Sequence, residues 1–185
     1  ELDMIIILEG PDNAGKSTLA QKLSKDLKLE VVHPGGPPKN ILDIITQCQN
    51  QAQVFGFSTE LDFIFDRATC ISNLIYRNEP EYDRVYGIYQ GQLKTAKNVV
   101  IIYCRPSDER LRNFDDHVTK DHEDESIVQH AKDNVDRIID EYDNLMAAFA
   151  RDKHYNTLKY NFELDTGGDG YRDLLALLMK WRDVK

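Results

Sequence analysis

The chain predicts an α/β fold, a three-layer α/β/α sandwich around a five-stranded parallel sheet. Three observations lead there. Short apolar runs alternate with segments whose apolar residues recur every three or four positions. The runs are nearly continuous rather than alternating, as in parallel strands buried on both faces. Polar and Gly-rich residues gather where those runs end, at Gly10–Ser17, His33–Pro38, Asp66–Arg67, Arg105 and Asp165–Gly168, and in such sheets ligands sit at the carboxyl ends of strands.

Taken in order, Met4–Glu9 is the first strand, and a helix with Leu19, Ala20, Leu23 and Leu27 on one face runs to about Lys28. Glu30–His33 is a short second strand, halted by Pro34-Gly35-Gly36-Pro37-Pro38. Asn40 can cap a helix carrying Ile41, Ile44, Ile45 and Cys48. Phe55–Thr59 reads as a loop and Leu61–Phe65 as the third strand, ending on Asp66-Arg67. Ile71, Leu74 and Ile75 mark the next helix; Asn78–Tyr89, polar and Tyr-rich, gives no clear reading. Asn98–Cys104 is the strongest core strand, and Ser107 can cap a short helix through Leu111. Phe114–Glu125 is highly charged and poor in apolar residues, a mobile surface segment by composition. Ser126–Arg151 reads as one long helix, Leu158–Leu164 as the last strand, Gly167–Gly170 as a turn and Tyr171–Val184 as a closing amphipathic helix.

The junction after the first strand carries the chemistry. Gly10-Pro11-Asp12-Asn13-Ala14-Gly15-Lys16-Ser17-Thr18 fits G-x-x-x-x-G-K-[ST], a phosphate-binding loop, in the strand–loop–helix context that pattern requires. Backbone N–H groups of Gly10, Asn13, Ala14, Gly15, Lys16, Ser17 and Thr18 would cradle the phosphates of a nucleotide, helped by the helix N-terminus. Lys16 can reach the β- and γ-phosphates, and the Ser17 hydroxyl can ligate Mg²⁺. Asp66 is placed to hold Mg²⁺ directly or through water, or simply to cap the helix after it. Arg67 beside it can bind phosphoryl oxygens in a bidentate way. Asp12 should point away from phosphates, towards a sugar hydroxyl or an attacking oxygen; a solvent-facing turn residue is the plainer alternative.

Leu8–Thr18 closely resembles the phosphate loop of thymidylate kinases, and Pro34–Pro38 resembles that family's Pro-Gly-Gly segment without its acid and Thr. Asp66-Arg67 followed by Ser72 and Tyr76 resembles its Asp-Arg-Tyr stretch, and Asp121-His122-Glu123 followed by a helix with Tyr142 resembles its lid. The matches are collinear over about residues 4 to 145. The resemblance implies a single P-loop kinase domain over residues 1–185, with a mobile lid-like segment at about 112–125, moving the γ-phosphate of ATP to a thymidylate-like deoxynucleoside monophosphate. It places Asp12 near the acceptor sugar, Arg67 on the acceptor phosphate, and Pro34, Gly35 and Ser72 on the acceptor side. It asks for an aromatic on the acceptor base, with Phe55 or Phe57 as candidates, and for Gly167 and Gly168 beside the adenine. It also implies a homodimer by analogy.

The departures fall on the acceptor side. The family's second Asp-Arg element is missing from Lys39–Asp62, His33 replaces its Glu, and His122 its lid Arg. With no Arg at Asn13 or Ala14, transition-state charge falls to Arg105, Arg110, Arg112 or Lys120. Some phage kinases resembling this family phosphorylate hydroxymethyluracil within DNA, which makes a DNA acceptor the alternative. A nucleotide-binding switch is the third reading, although no Asn-Lys-x-Asp-type motif occurs.

The formal net charge of −9 argues against a broad nucleic-acid footprint. No apolar run has membrane-spanning length and no segment reads as a signal peptide. Cys48, Cys70 and Cys104 lack C-x-x-C spacing and read as buried, reduced thiols in a cytoplasmic protein. His117 and His122 are poorly spaced for a metal, and Tyr76, Tyr82, Tyr86 and Tyr89 read as packed surface or interface rather than a base platform.

Overall fold

The computed structural model describes residues 3–114 and 125–183. Strands β1 (Ile5–Glu9), β2 (Glu30–Val32), β3 (Phe63–Asp66), β4 (Val99–Cys104) and β5 (Asn156–Tyr160) form one parallel sheet in the order β2-β3-β1-β4-β5. The helices are α1 (Lys16–Leu27), α2 (Ile41–Gly56), α3 (Thr69–Arg77), α4 (Asp83–Thr95), α5 (Asp108–Arg112), α6 (Glu125–Asp133), α7 (Val135–Arg151) and α8 (Asp169–Asp183). The chain leaves β1 towards one edge of the sheet and β4 towards the other, which opens a crevice beyond the carboxyl end of β1.

The two-residue period of the central strand sorts the core into two layers. Ile5 and Ile7 pack with α2, α3, α4 and α7 through Ile44, Ile71, Tyr86 and Tyr142. Met4, Ile6 and Leu8 pack with α1 and α8 through Leu19, Leu23, Leu174 and Leu178. The same parity aims the polar residues at the strand ends. Glu9 follows Ile5 and Ile7 into the first layer, and Asp66, in step with Ile64, turns towards α1.

Several elements differ from the sequence pattern. α2 continues through Gly56, so Phe55 is helical and not in a loop: its ring packs edge-on against Phe65, with centroids 5.2 Å apart. Within Asn78–Tyr89, a 3-10 turn at Pro80–Tyr82 leads into α4, which buries Tyr86 and Leu93. The long helix expected over Ser126–Arg151 is broken at Asn134, whose side chain donates to the His130 carbonyl at 2.8 Å. The last strand lies earlier than expected, at Asn156–Tyr160. Asn161 ends it by accepting from the Glu163 N–H, and Phe162–Leu164 is a 3-10 turn. α8 already begins at Asp169, inside the expected turn. The lid-like stretch falls almost wholly outside the described residues, with Arg112 closing α5 and Glu125 opening α6.

Candidate active site

The loop between β1 and α1 is shaped by two glycines. Gly10 has φ +144°, and a Cβ there would stand 2.4 Å from the Cys104 carbonyl oxygen at the end of β4. Gly15 caps α1 with φ +81°, and a Cβ would meet the Phe162 ring at 2.8 Å. Gly15 offers no side-chain cap, so the first N–H groups of α1 form an anion-binding end. Lys16 Nζ donates to the carbonyls of Gly10 at 2.9 Å and Pro11 at 2.6 Å. Burial, reinforced by the Arg67 charge, lowers its pKa to about 8. Asn13, at φ +64°, ties the loop to the Asn113 carbonyl at 3.0 Å, Ala14 packs into the core, and Ser17 and Thr18 are exposed.

A half-buried cluster stands behind the loop. Arg67 donates through one terminal nitrogen to the Gly10 carbonyl (3.0 Å) and the Tyr142 hydroxyl (2.8 Å). The other donates to Asp12 Oδ1 (2.7 Å) and the Tyr76 hydroxyl (3.3 Å), and the guanidinium lies 4.9 Å from the Tyr76 ring centre. The Asp12 N–H donates to the Tyr76 hydroxyl at 2.9 Å. Tyr142 donates to Glu9 Oε2 at 2.9 Å, and the Ala68 N–H donates to Glu9 Oε1 at 2.6 Å. Burial raises the Glu9 pKa to about 7, opposed by the Arg67 charge, and pushes the Tyr76 and Tyr142 hydroxyls up so that both stay protonated.

A cavity of about 630 Å³ opens in front, lined by Ser17, Gln21, His33, Pro34, Asp66 and Arg67 among others. Asp66 Oδ2 stands 3.2 Å from His33 Nδ1, whereas its buried Oδ1 has no hydrogen-bond partner among the described residues. A carboxylate that lines the same cavity as a serine hydroxyl, with one oxygen left without a hydrogen bond, suits a hard divalent cation. Ser17 and Asp66 therefore fit Mg²⁺. Among the described residues no cluster of three or more His, Cys, Asp or Glu side chains could bind a metal by itself.

The structure thus brings together Asp12, Lys16, Ser17, Pro34, Asp66 and Arg67, with Gly35 in the segment next to the cavity, close to Gln47. Others are placed elsewhere. Phe57 is 54% exposed at the end of α2, and the adjoining Ser58 hydroxyl donates to the Lys97 carbonyl. Lys97 precedes β4, so Phe57 lies at the amino end of the sheet, opposite the loop, and cannot stack on a base held there. Phe55 is committed to the core. Ser72 is buried, its hydroxyl donating to Ala68 O within α3. Arg105 is a staple, gripping Asp143 at 2.8 and 2.9 Å and Asp108 at 2.6 Å, and is not free to reach a phosphate. Arg112 pairs with Asp136 at 2.7 Å on the surface. Arg110 lies 5.8 Å from the Phe162 ring centre, on the aromatic that abuts Gly15. Gly167 and Gly168 take φ +79° and +84° beyond Phe162, in backbone only glycine adopts easily. Lys120, His117, Asp121, His122 and Glu123 lie outside the described residues.

Sequence reasoning assigned no role to Glu9, Gln51 and Phe162, and named Tyr142 and Tyr76 only as markers of the resemblance, with Tyr76 otherwise read as packing. The parity of β1 holds a signal for Glu9: a carboxylate in step with Ile5 and Ile7 must be buried and partnered. Cys48, Cys70 and Cys104 are all free and buried, and burial pushes the Cys104 thiol up to about 12.

Fold and loop together define the P-loop kinase fold. No protein-family model matches the chain, and no curated protein matches it. Solved structures do. The YorR protein of Bacillus subtilis, in complex with phosphorylated GDP, is 21% identical with TM-score 0.66, covering 96% of each chain. Deoxyadenosine kinase from M. mycoides with bound dATP is 16% identical with TM-score 0.64, covering 94% of this chain and 99% of that one. A gluconokinase from Sinorhizobium meliloti is 11% identical with TM-score 0.55, covering 99% and 95%. Likeness at these identities is likeness of fold.

Proposed function

We propose that the chain is an ATP- and Mg²⁺-dependent phosphotransferase that moves the γ-phosphate of ATP to a thymidylate-like deoxynucleoside monophosphate. The observation that carries this is the pairing of the two strand ends. The Lys16 loop closes β1 and the Asp66-Arg67 element closes β3, and both face one crevice. A deoxyadenosine kinase among the neighbours, solved with bound dCTP and with bound dATP, supports an acceptor built on a deoxynucleoside.

In this reading catalysis is positioning and electrostatic stabilisation, without a covalent intermediate. Lys16 leaves the loop carbonyls for the β- and γ-phosphate oxygens. Ser17 and Asp66 would hold Mg²⁺, which would supply neutralisation of the charge that develops on the phosphates. Arg67 turns its outer edge from Asp12 to the acceptor phosphate, and Asp12 is released to the acceptor sugar. Arg110 supplies further positive charge from α5.

The test is a screen with labelled ATP and Mg²⁺ over deoxynucleosides, deoxynucleoside monophosphates and hydroxymethylated DNA. Transfer to a pyrimidine deoxynucleoside monophosphate is the expected result. Lys16→Ala or Arg67→Ala should lower transfer by about a hundredfold or more while leaving the circular dichroism spectrum unchanged. Transfer only to DNA would replace the acceptor. ATP hydrolysis with no transfer to any acceptor would favour a nucleotide switch.

A further inference from the structure

Arg67 is a non-glycine residue in the left-handed region, at φ +79°. Side chains rarely adopt that backbone unless their surroundings over-determine it, and two buried residues outside the cavity do so here. Its N–H continues the β3 ladder to the Leu8 carbonyl at 3.0 Å. Its carbonyl accepts from Gln51 Nε2 at 3.2 Å. The next N–H, of Ala68, goes to Glu9 at 2.6 Å. The one after, of Thr69, goes to Gln51 Oε1 at 2.7 Å, and the Thr69 hydroxyl joins it at 3.0 Å. Gln51, on α2, and Glu9, on β1, are 8% and 0% exposed. Neither lines the cavity. Gln51 uses both halves of one amide on a single turn of backbone, donating to a carbonyl and accepting two residues later. Among side chains of that length a primary amide carries both functions at every pH, whereas a carboxyl carries both only when protonated. Glu9 acts twice, on the backbone through Ala68 and on the guanidinium through Tyr142, which accepts from Arg67 at 2.8 Å.

We propose that Gln51 and Glu9 are positioning residues that hold Arg67 in its left-handed backbone conformation and so aim its guanidinium at the crevice. Gln51 fixes the turn from the α2 side, and Glu9 fixes it from the β1 side. Neither touches a reacting atom. The consequence for transfer rests on the reading of Arg67 as the ligand of the acceptor phosphate, whereas the consequence for Arg67 itself does not.

The experiment has two readouts. Crystal structures of Gln51→Glu and Gln51→Leu, without nucleotide, read the conformation of Arg67 directly. Gln51→Glu, crystallised well above the pH at which a buried carboxyl ionises, keeps the acceptor for Thr69 and loses the donor to Arg67, so it serves should Gln51→Leu fail to fold. Arg67 leaving the left-handed region and parting from Asp12 in either is the expected result. Arg67 unmoved, with its contacts to Asp12 and Tyr142 intact, would overturn the proposal. Kinetics form the second readout. Gln51→Glu and Glu9→Gln should lower kcat/KM for the acceptor about tenfold to a hundredfold, with the KM for ATP within about twofold of wild type. In an Arg67→Lys background the same substitutions should cost little more, because they act through the residue already altered. Equal losses in both backgrounds, or a parallel rise in the KM for ATP, would mark a general structural role and reject the positioning one. Should the wild type transfer to no acceptor, the proposed function fails, and the crystal structures, with Glu9→Gln added to them, still decide this inference.

Discussion

Two buried charges of opposite sign stand behind the phosphate loop, and burial drives both towards neutrality. Glu9 is raised from 4.5 to about 7 by burial, against the opposing charges of Arg67 and Lys16 and the hydrogen bonds from Ala68 and Tyr142. A raised carboxyl binds its proton more tightly in the folded chain. Its contribution to stability is therefore full below pH 4.5 and is lost as pH rises through about 7. The melting temperature of Glu9→Gln relative to wild type should rise between pH 4.5 and 7 and stay level above that. Thermal denaturation across that range checks it, and a difference independent of pH would contradict the buried, titrating carboxyl. Lys16 runs the other way. Lowered from 10.5 to about 8, it contributes stability above pH 10.5 that is lost as pH falls through 8. At neutral pH the fold therefore carries a buried ammonium at a cost. That cost makes sense if the group is kept for an anionic ligand.

At the scale of elements, the close approach of the loop to β4 fixes the crevice. Gly10→Ala places a methyl group 2.4 Å from a backbone carbonyl that cannot yield, in a backbone region side chains avoid. The expected loss is roughly 2–4 kcal/mol, seen as a lower urea midpoint with an unchanged slope. A midpoint within error of wild type would mean that β4 can move away from the loop. Elements of this kind were also the most legible in the sequence. β1 and β4 are unbroken apolar runs, and the Gly10–Thr18 pattern allows one local structure. α4 was not legible, because Gly87 and Gly91 dilute its apolar stripe, leaving Tyr82, Tyr86, Tyr89 and Leu93 to mark it at helical spacing. The break at Asn134 was hidden because the apolar period of α7 continues across it. Half of the site was readable for the same reason: Lys16, Ser17, Asp66 and Arg67 follow their strands directly. The other half is contributed from a distance. Tyr142 lies 133 residues from the Glu9 it bonds, and Gln51 lies 16 from Arg67, on another element. No local pattern marks such partners, and Phe57, chosen for being aromatic, fell at the wrong end of the sheet.

For the molecule as a whole, the site should appear as a gain in stability on binding. A chain of net charge −9 that brings Lys16 and Arg67 together on the Gly10 carbonyl should favour a small triphosphate with its metal over a long polyanion. A ligand present at a hundredfold excess over its dissociation constant stabilises the folded state by about 2.7 kcal/mol. For a chain of this length that is a rise of about 5–10 °C in the melting temperature. ATP with Mg²⁺ should produce it, and EDTA should remove most of it if Ser17 and Asp66 hold the cation as proposed. Lys16→Ala should melt no lower than wild type without ligand at pH 7, since it sheds a buried ammonium, yet show almost no rise with ATP. Unmodified duplex DNA at physiological salt should leave the wild-type melt unchanged. A thermal shift series with these four arms reads all of it. A Lys16→Ala variant that still gained the full rise would place the triphosphate somewhere other than the loop between β1 and α1.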